Sequence, residues 1–221
     1  MSARIAVLIS GEGRNLQALI EACAAQRIDG EIVLVLSNRA QARGLLRAQQ
    51  AGIATATLAH RDYASREDFD AAMLRVLAEA RPDFVVLAGF MRILTPAFIR
   101  AYAGRLLNIH PSLLPRHPGL NTHQAVIDAG ETEHGATVHF VTEELDGGPR
   151  IIQGQFKRRI EDDAEALAER VMQEVELKIY PQAVAWMARG ELTMADDGRV
   201  SLRGKMLGEP LSLTDLETEF R

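Results

Sequence analysis

A single cysteine, Cys23, stands in this chain of 221 residues. That excludes an internal disulfide and a cysteine zinc cage. Inside "LIEACAAQ" it reads as a buried structural thiol, and a chain with no disulfide to protect is expected in the cytosol. No apolar run is long enough to span a bilayer. The opening "MSARIAVLIS" passes directly into "GEGRN" with no small-residue cleavage site, so no signal peptide is expected. Basic residues are in the minority, 25 Lys and Arg against 30 Asp and Glu, for a formal net charge of -5. A general binder of nucleic acid or of membrane surfaces needs a basic face, so neither is an expected partner, and small molecules are. None of the six histidines stands at a metal-ligand spacing such as H-x-x-x-H, and no metal is expected. Internal repeats, low-complexity tracts and linkers are also missing.

What is present is an ordinary globular composition, 47% hydrophobic and 25% charged, enough for a packed core. The length fits one domain over residues 1–221. "RIAVLIS", "EIVLVLSN", "DFVVLAGF" and "RLLNIHP" are short, β-branched-rich runs that read as strands buried on both faces. Helical patterns lie between them: "NLQALIEACAAQ", "ARGLLRAQQA" and "SREDFDAAMLRVLAEA", the last opening on Ser65 with Asp68 three residues on, a capping box with Asp in place of Glu. This alternation predicts βαβ units and an α/β fold with a mostly parallel sheet and helices on both faces. After residue 130 "GATVHFVTEELDGGPRIIQGQFKR" reads as two strands around a Gly-rich turn, so the sheet becomes mixed in the C-terminal half. "DDAEALAERVMQEVELKIYPQAVAWMARG" is a long amphipathic helix with a break expected near Pro181. "ELTMADDGRVSLRG" suggests a hairpin turning at "DDG", and the closing "LTDLETEFR" is expected to fray.

Three stretches can carry chemistry. "SGEGRNLQ" follows the first strand and opens the first helix, where backbone N–H groups and close-approaching glycines make a natural phosphate cradle. Gly11 and Gly13 shape the turn, with Glu12 and Arg14 between and after them, and Asn15 can cap the helix or bind an oxygen. The dinucleotide fingerprint is incomplete, because Leu16 stands where the third glycine would be and the second strand ends in "SNR" without a carboxylate. A plain tight turn is the alternative. The second stretch, "NIHPSLLP", places Asn108 and His110 on alternate positions at a strand end, so both side chains leave on one face and can converge on one atom. A protonated His110 could donate to an oxygen that becomes negative, with the Asn108 amide as a second donor. The pair could equally satisfy loose backbone groups at the strand end. The third is "ELDGGPRI", where Asp146 is either a turn residue or a carboxylate that orients the histidine and handles protons through water. His139, in "TVHFV", reads as a packed strand residue with a pocket-lining role left open. His117 and His123 fall in a Pro- and Gly-rich loop, and His134 beside a turn.

Together these pieces place the chain. "GFMRILTPAFIRAYAGRLLNIHPSLLPRHPGLNTHQAVIDAGETEHGATVHFVTEELDGGPRI" closely resembles the formyltetrahydrofolate-dependent formyltransferases, and with "SGEGRNLQALI" the resemblance covers nearly all of residues 4–190. It implies a Rossmann-like formyltransferase fold in three stretches: a phosphate-binding half over 1–100, a catalytic and folate half over 101–190, and a C-terminal hairpin and tail over 191–221. It implies Asn108, His110 and Asp146 as the catalytic trio. Its start and compact length are those of the purine-pathway members, which implies formyl transfer from the co-substrate 10-formyltetrahydrofolate to the amine of 5-phosphoribosylglycinamide. On that resemblance Gly11, Glu12, Gly13, Arg14 and Asn15 receive the substrate's ribose phosphate and Glu176 lies near its glycinamide end. Met91, Arg92, Ile93 and Leu94 line the folate pocket, with Arg66 and Asn108 near the folate. Two departures stand out: Arg14 where relatives often carry serine, and Leu177 where they often carry histidine.

Other readings stay open. The formyltetrahydrofolate hydrolases share the catalytic residues but follow an extra N-terminal domain, and the methionyl-tRNA formyltransferases need a C-terminal RNA-binding domain and a basic face. A sugar-nucleotide formyltransferase fits the catalytic residues but the phosphate turn less well. "SGEGRN" with Arg39 after the second strand allows an NADP-dependent reductase. A phosphate-ligand sensor without turnover is the non-enzyme reading. The sequence does not separate a monomer from a homodimer.

Overall fold

The computed structural model describes residues 2–221. The chain forms two compact units, Met1–Asn108 and Ile109–Arg221.

In the first unit, strands β1 (Ala3–Ile9), β2 (Gly30–Ser37), β3 (Thr55–Thr57), β4 (Phe84–Leu87) and the start of β5 (Leu106–His110) are all parallel, in the order β3-β2-β1-β4-β5. Ile5 to Ile9 are buried without alternation, which is what a strand covered on both faces requires. Burying each such side chain stabilises the fold by about 1.5–3 kcal/mol. The helices α1 (Arg14–Ala24), α2 (Arg43–Gln50) and α3 (Arg66–Ala80) fall on the periodic segments. Ser65 caps α3 by accepting from the Asp68 amide at 3.0 Å, while its hydroxyl donates to the Asp68 carboxylate at 2.7 Å. A short helix α4 (Pro96–Ala101), which the sequence pattern did not announce, starts on a Thr95 cap with proline at its first turn, where a missing N–H costs nothing. The strand order reverses direction between β1 and β4, so the loops after these two strands diverge from one point at their carboxyl ends, the usual place for a ligand in such a sheet.

In the second unit, β6 (Glu133–Phe140) and β7 (Arg150–Lys157) pair antiparallel. With the parallel strands of the first unit this gives the mixed α/β character expected from the sequence. Helix α5 (Thr122–Asp128) precedes β6, so His123 belongs to a helix rather than a loop. The long helical pattern resolves into α6 (Ala164–Arg170), a π-helical segment Val171–Glu176, and α7 (Leu177–Ala188). The expected break at Pro181 therefore lies earlier, and Pro181 stands inside α7. A proline ring crowds the carbonyl four residues back and offers it no N–H. The helix passes through this proline without ending, and the wider i→i+5 register lies before it, at Val171–Glu176.

The hairpin expected at "DDG" is β8 (Leu192–Met194) with β9 (Val200–Leu202), extended by a third strand β10 (Lys205–Met206). The tail does not fray. It forms two 3-10 turns, Leu213–Asp215 and Thr218–Phe220, that bury Leu216 and Phe220. Glu217 accepts from Trp186 Nε1 at 3.1 Å and from Arg189 at 2.8 Å, which anchors the tail to α7. Cys23 is half-buried rather than fully buried, and burial pushes its thiol up to about 11, leaving almost no thiolate at neutral pH.

Candidate active site

The phosphate-cradle turn is built in the first unit. Gly13, at φ +73°, caps α1 in the left-handed region, and no side chain caps the helix. Asn15 is thus not the cap, one of the two roles its type allows. It sits buried in the first helical turn, because the glycine turns the chain two residues earlier. A Cβ at Gly13 would come within 2.6 Å of Gly44 Cα, so the start of α2 presses on the turn where only glycine fits. The Gly44 amide donates to the Gly11 carbonyl at 3.0 Å, and Arg47 Nε donates to the Glu12 carbonyl at 2.8 Å. Arg47 also reaches Gln17 Oε1 on α1 at 3.4 Å. The Glu12 carboxylate meets Arg43 at 3.2 Å, but both side chains are well exposed and such pairs contribute little. The turn is therefore fixed from α2 through its carbonyls, at a helix start that no side chain caps. Arg14 is half-buried there.

The "MRIL" stretch follows β4. Met91 and Ile93 are 58% and 56% exposed while Leu94 is buried, an arrangement that offers two large apolar side chains outward. Arg92 lies 5.7 Å above the Phe69 ring on α3. Arg66 is the exposed first residue of α3.

The end of β5 carries Asn108, half-buried, and His110, which is 5% exposed. They are two positions apart on one strand and leave on the same side. In the second unit both nitrogens of His110 face oxygens: Nε2 donates to the His117 carbonyl at 2.9 Å, and Nδ1 lies 3.4 Å from Asp146 Oδ2. Asp146 sits at φ +51° in the connection between β6 and β7. Its Oδ2 accepts from the Gly119 amide at 2.8 Å, and its Oδ1 lies 3.8 Å from His139 Nε2. A Cβ at Gly148, two residues on, would fall on the Phe140 carbonyl, which explains the second glycine of "LDGGP".

His139 is the residue that sequence reasoning left undecided. It is 2% exposed, and Nδ1 donates to the Phe140 carbonyl at 2.9 Å. Burial lowers its pKa against the opposing pull of that carbonyl and of Asp146, with His110 lowering it further. A neutral His139 leaves the Asp146 charge directed at His110. The sequence signal was its place in the strand run "TVHFV", which lies in a strand buried at every position after Glu133.

His117, at φ +52°, is held by Glu131 Oε1 at 2.8 Å from its Nε2, and Arg116 pairs with the other Glu131 oxygen at 2.7 Å. Ser112, Thr137, Arg150 and Gln153 hydrogen-bond the backbone of residues 112–116. Glu176 is buried at the junction of the π segment and α7, on a different element from Asp146 and His139. Among the described residues no group of three or more His, Cys, Asp or Glu is placed to hold a metal ion, and no helix is long and apolar enough to cross a membrane.

His134 is 1% exposed and pairs through Nε2 with His123 Nδ1 at 2.9 Å. Burial, then the neighbouring His123 and His117, lowers its pKa to about 4. An unfolded histidine titrates near 6.5. Between these values the unfolded chain binds a proton that the folded chain does not, so this contribution is complete above about pH 6.5 and is lost as pH falls toward 4. Thermal melts between pH 7 and 4.5 are expected to show a destabilisation of up to ~3 kcal/mol from this source. His134→Gln should flatten that acid limb, and an unchanged limb would mean that His134 does not contribute.

A buried histidine backed by a carboxylate, beside a strand-end amide, can place N–H donors on an oxygen that gains charge, the requirement of acyl transfer. In the first unit the parallel Rossmann-like strands carry a glycine turn and a helix start after β1, a geometry that suits an anion. Residues 3–184 match the formyl transferase family, and the chain belongs to it. It is 52% identical over 193 residues to the phosphoribosylglycinamide formyltransferase of Escherichia coli (strain K12), spanning 87% of this chain and 91% of that protein. The enzyme of the same name from Haemophilus influenzae is 46% identical, over 88% of this chain and 91% of its own length. A solved structure of phosphoribosylglycinamide formyltransferase from Coxiella burnetii superposes with a TM-score of 0.90 at 46% identity, covering 96% of this chain and 99% of that one.

Proposed function

We propose that the chain transfers the formyl group of 10-formyltetrahydrofolate to the primary amine of 5-phosphoribosylglycinamide, a step of de novo purine (IMP) synthesis. The observation that carries this reading is the buried His110–Asp146 pair at 3.4 Å, at the end of the strand that also bears Asn108. The amine attacks the formyl carbon, a tetrahedral intermediate forms, and its oxygen carries negative charge. His110 Nε2–H, now given to the His117 carbonyl, is exchanged to that oxygen, and the Asn108 amide supplies the second donor. Asp146 keeps the imidazole oriented and, through a water, takes the proton from the attacking amine and returns it to the leaving N10. The new C–N bond forms as the amine adds, the C–N10 bond breaks as the intermediate collapses, and no covalent bond to the protein is needed.

The Gly11–Asn15 turn supplies N–H groups at an uncapped helix start for the ribose phosphate, with Arg14 adding charge where relatives often carry serine. Glu176 serves the glycinamide end. Met91–Leu94, with Arg66 nearby, receive the folate.

The direct test is a spectrophotometric assay with 10-formyl-folate, with and without glycinamide ribonucleotide. Product only when both are present supports transfer. Deformylation without the ribonucleotide would make the chain a hydrolase, and silence in both would overturn the reading. Because Arg47 fixes the phosphate turn by one charge-assisted hydrogen bond to the Glu12 carbonyl, Arg47→Ala is expected to raise KM for the ribonucleotide about tenfold and leave KM for the folate unchanged. Steady-state kinetics with each substrate varied decides this, and an unchanged ribonucleotide KM would remove Arg47 from the account.

A further inference from the structure

We propose that Ser10 is a positioning residue that couples the two substrate-binding stretches of the first unit, the phosphate turn and the folate-lining segment 91–94; this rests on the formyl-transfer reading above. Ser10 is the residue between β1 and Gly11, and it is 3% exposed. Its hydroxyl has one proton to give and gives it to Asn38 Oδ1 at 2.6 Å. The oxygen's lone pairs are then free to accept, and the Met91 amide donates to it at 2.8 Å. Asn38, itself buried, is steadied by a 3.4 Å contact between its Nδ2 and His60 Nδ1. One side chain thus ties the exit of β1 to the loop after β4, the two loops that diverge where the strand order reverses.

The far end of the same segment is held in the same manner. The Thr95 amide donates to Asp70 Oδ2 at 2.6 Å, and Asp70, on α3, is 3% exposed. Residues 91–94 are therefore fixed at both flanks by buried acceptors that belong to other elements. The physical need for this is the exposure of Met91 and Ile93. Apolar side chains left free would turn inward to escape water, and a segment with both amide ends pinned cannot turn. It keeps its apolar side chains outward for a flat apolar ligand. The two pins differ in one respect: Asp70 holds Thr95, at the far end of the folate segment, whereas Ser10 is also the residue from which the phosphate turn departs.

The experiment is a set of substitutions in the full-length chain, read by steady-state kinetics for each substrate and by amide hydrogen exchange. Ser10→Ala is expected to raise KM for both the folate and the ribonucleotide about fivefold, with both rises outrunning any fall in kcat, and to speed exchange of the Met91 amide. Asp70→Ala should raise only the folate KM and speed exchange at Thr95. Ser10→Cys fills the same space with a weak acceptor and should move both KM values the same way by less, which keeps the test available if the alanine variant does not fold. A Ser10 variant that raises only one KM, or that lowers kcat alone, would overturn the coupling. Unchanged exchange at Met91 would overturn the pin itself. Exchange is read without turnover, so an inactive wild-type chain would sink the transfer reading while the Met91 result still decided the pin.

Discussion

His110→Ala is expected to lower kcat by about 10³-fold or more while the folate still binds, because on the proposed mechanism the ring's contribution is made to the oxygen that becomes charged during the reaction. The ring is 5% exposed and both nitrogens face oxygens, the His117 carbonyl at 2.9 Å and Asp146 at 3.4 Å. If the ring acts only on that oxygen, as proposed, the loss is confined to kcat, the signature of a transition-state donor. Single-turnover assays with a folate-binding titration alongside separate the two quantities. Turnover near wild type, or a loss that appears only in folate affinity, would take His110 out of the chemistry.

Asp146→Asn is expected to lower kcat by about 10²–10³-fold with the fold intact. Asparagine tolerates the left-handed backbone at φ +51° at least as well as aspartate, and its side-chain oxygen can still accept from the Gly119 amide, now at 2.8 Å. What is lost is the charge. On the proposed mechanism no carboxylate then remains to pass the amine's proton to the leaving nitrogen, and His139, held neutral by burial, supplies no replacement. Steady-state kinetics at a fixed pH read the fall in kcat. A kcat near wild type would show that Asp146 acts only as a turn residue.

The Ser65 cap on α3 and the βαβ alternation are local matters: a period of two or of 3.6 and a hydroxyl three residues before an amide are all within one segment. For that reason they were legible. The π segment ahead of Pro181 was not, because a proline predicts a disturbance without saying which turn absorbs it. The tail was misjudged for a related reason. "LTDLETEFR" looks polar on its own, and only the presence of Trp186, Gln182 and Arg189 on α7 makes Glu217 an anchor. In the candidate site, Asn108, His110 and Asp146 could be named from spacing and resemblance. His139 could not be given its place, since its 3.8 Å approach to Asp146 depends on how a strand and the connection after it come together.

Sequence alone determined the α/β class, the strands and helices of the parallel half, the glycine turn after the first strand, and the residues that resemblance marks as catalytic. These follow from local preference, periodicity and short motifs. The tertiary structure alone decided what holds those residues in place: Ser10 on the Met91 amide, Asp70 on Thr95, Arg47 on the Glu12 carbonyl, His117 and Asp146 on the two sides of His110. Ser10 and Met91 are 81 positions apart in the chain. Hydrogen bonds at such separations exist only once parallel strands have brought distant loops to the same end of a sheet, and no period or spacing in the sequence encodes that meeting.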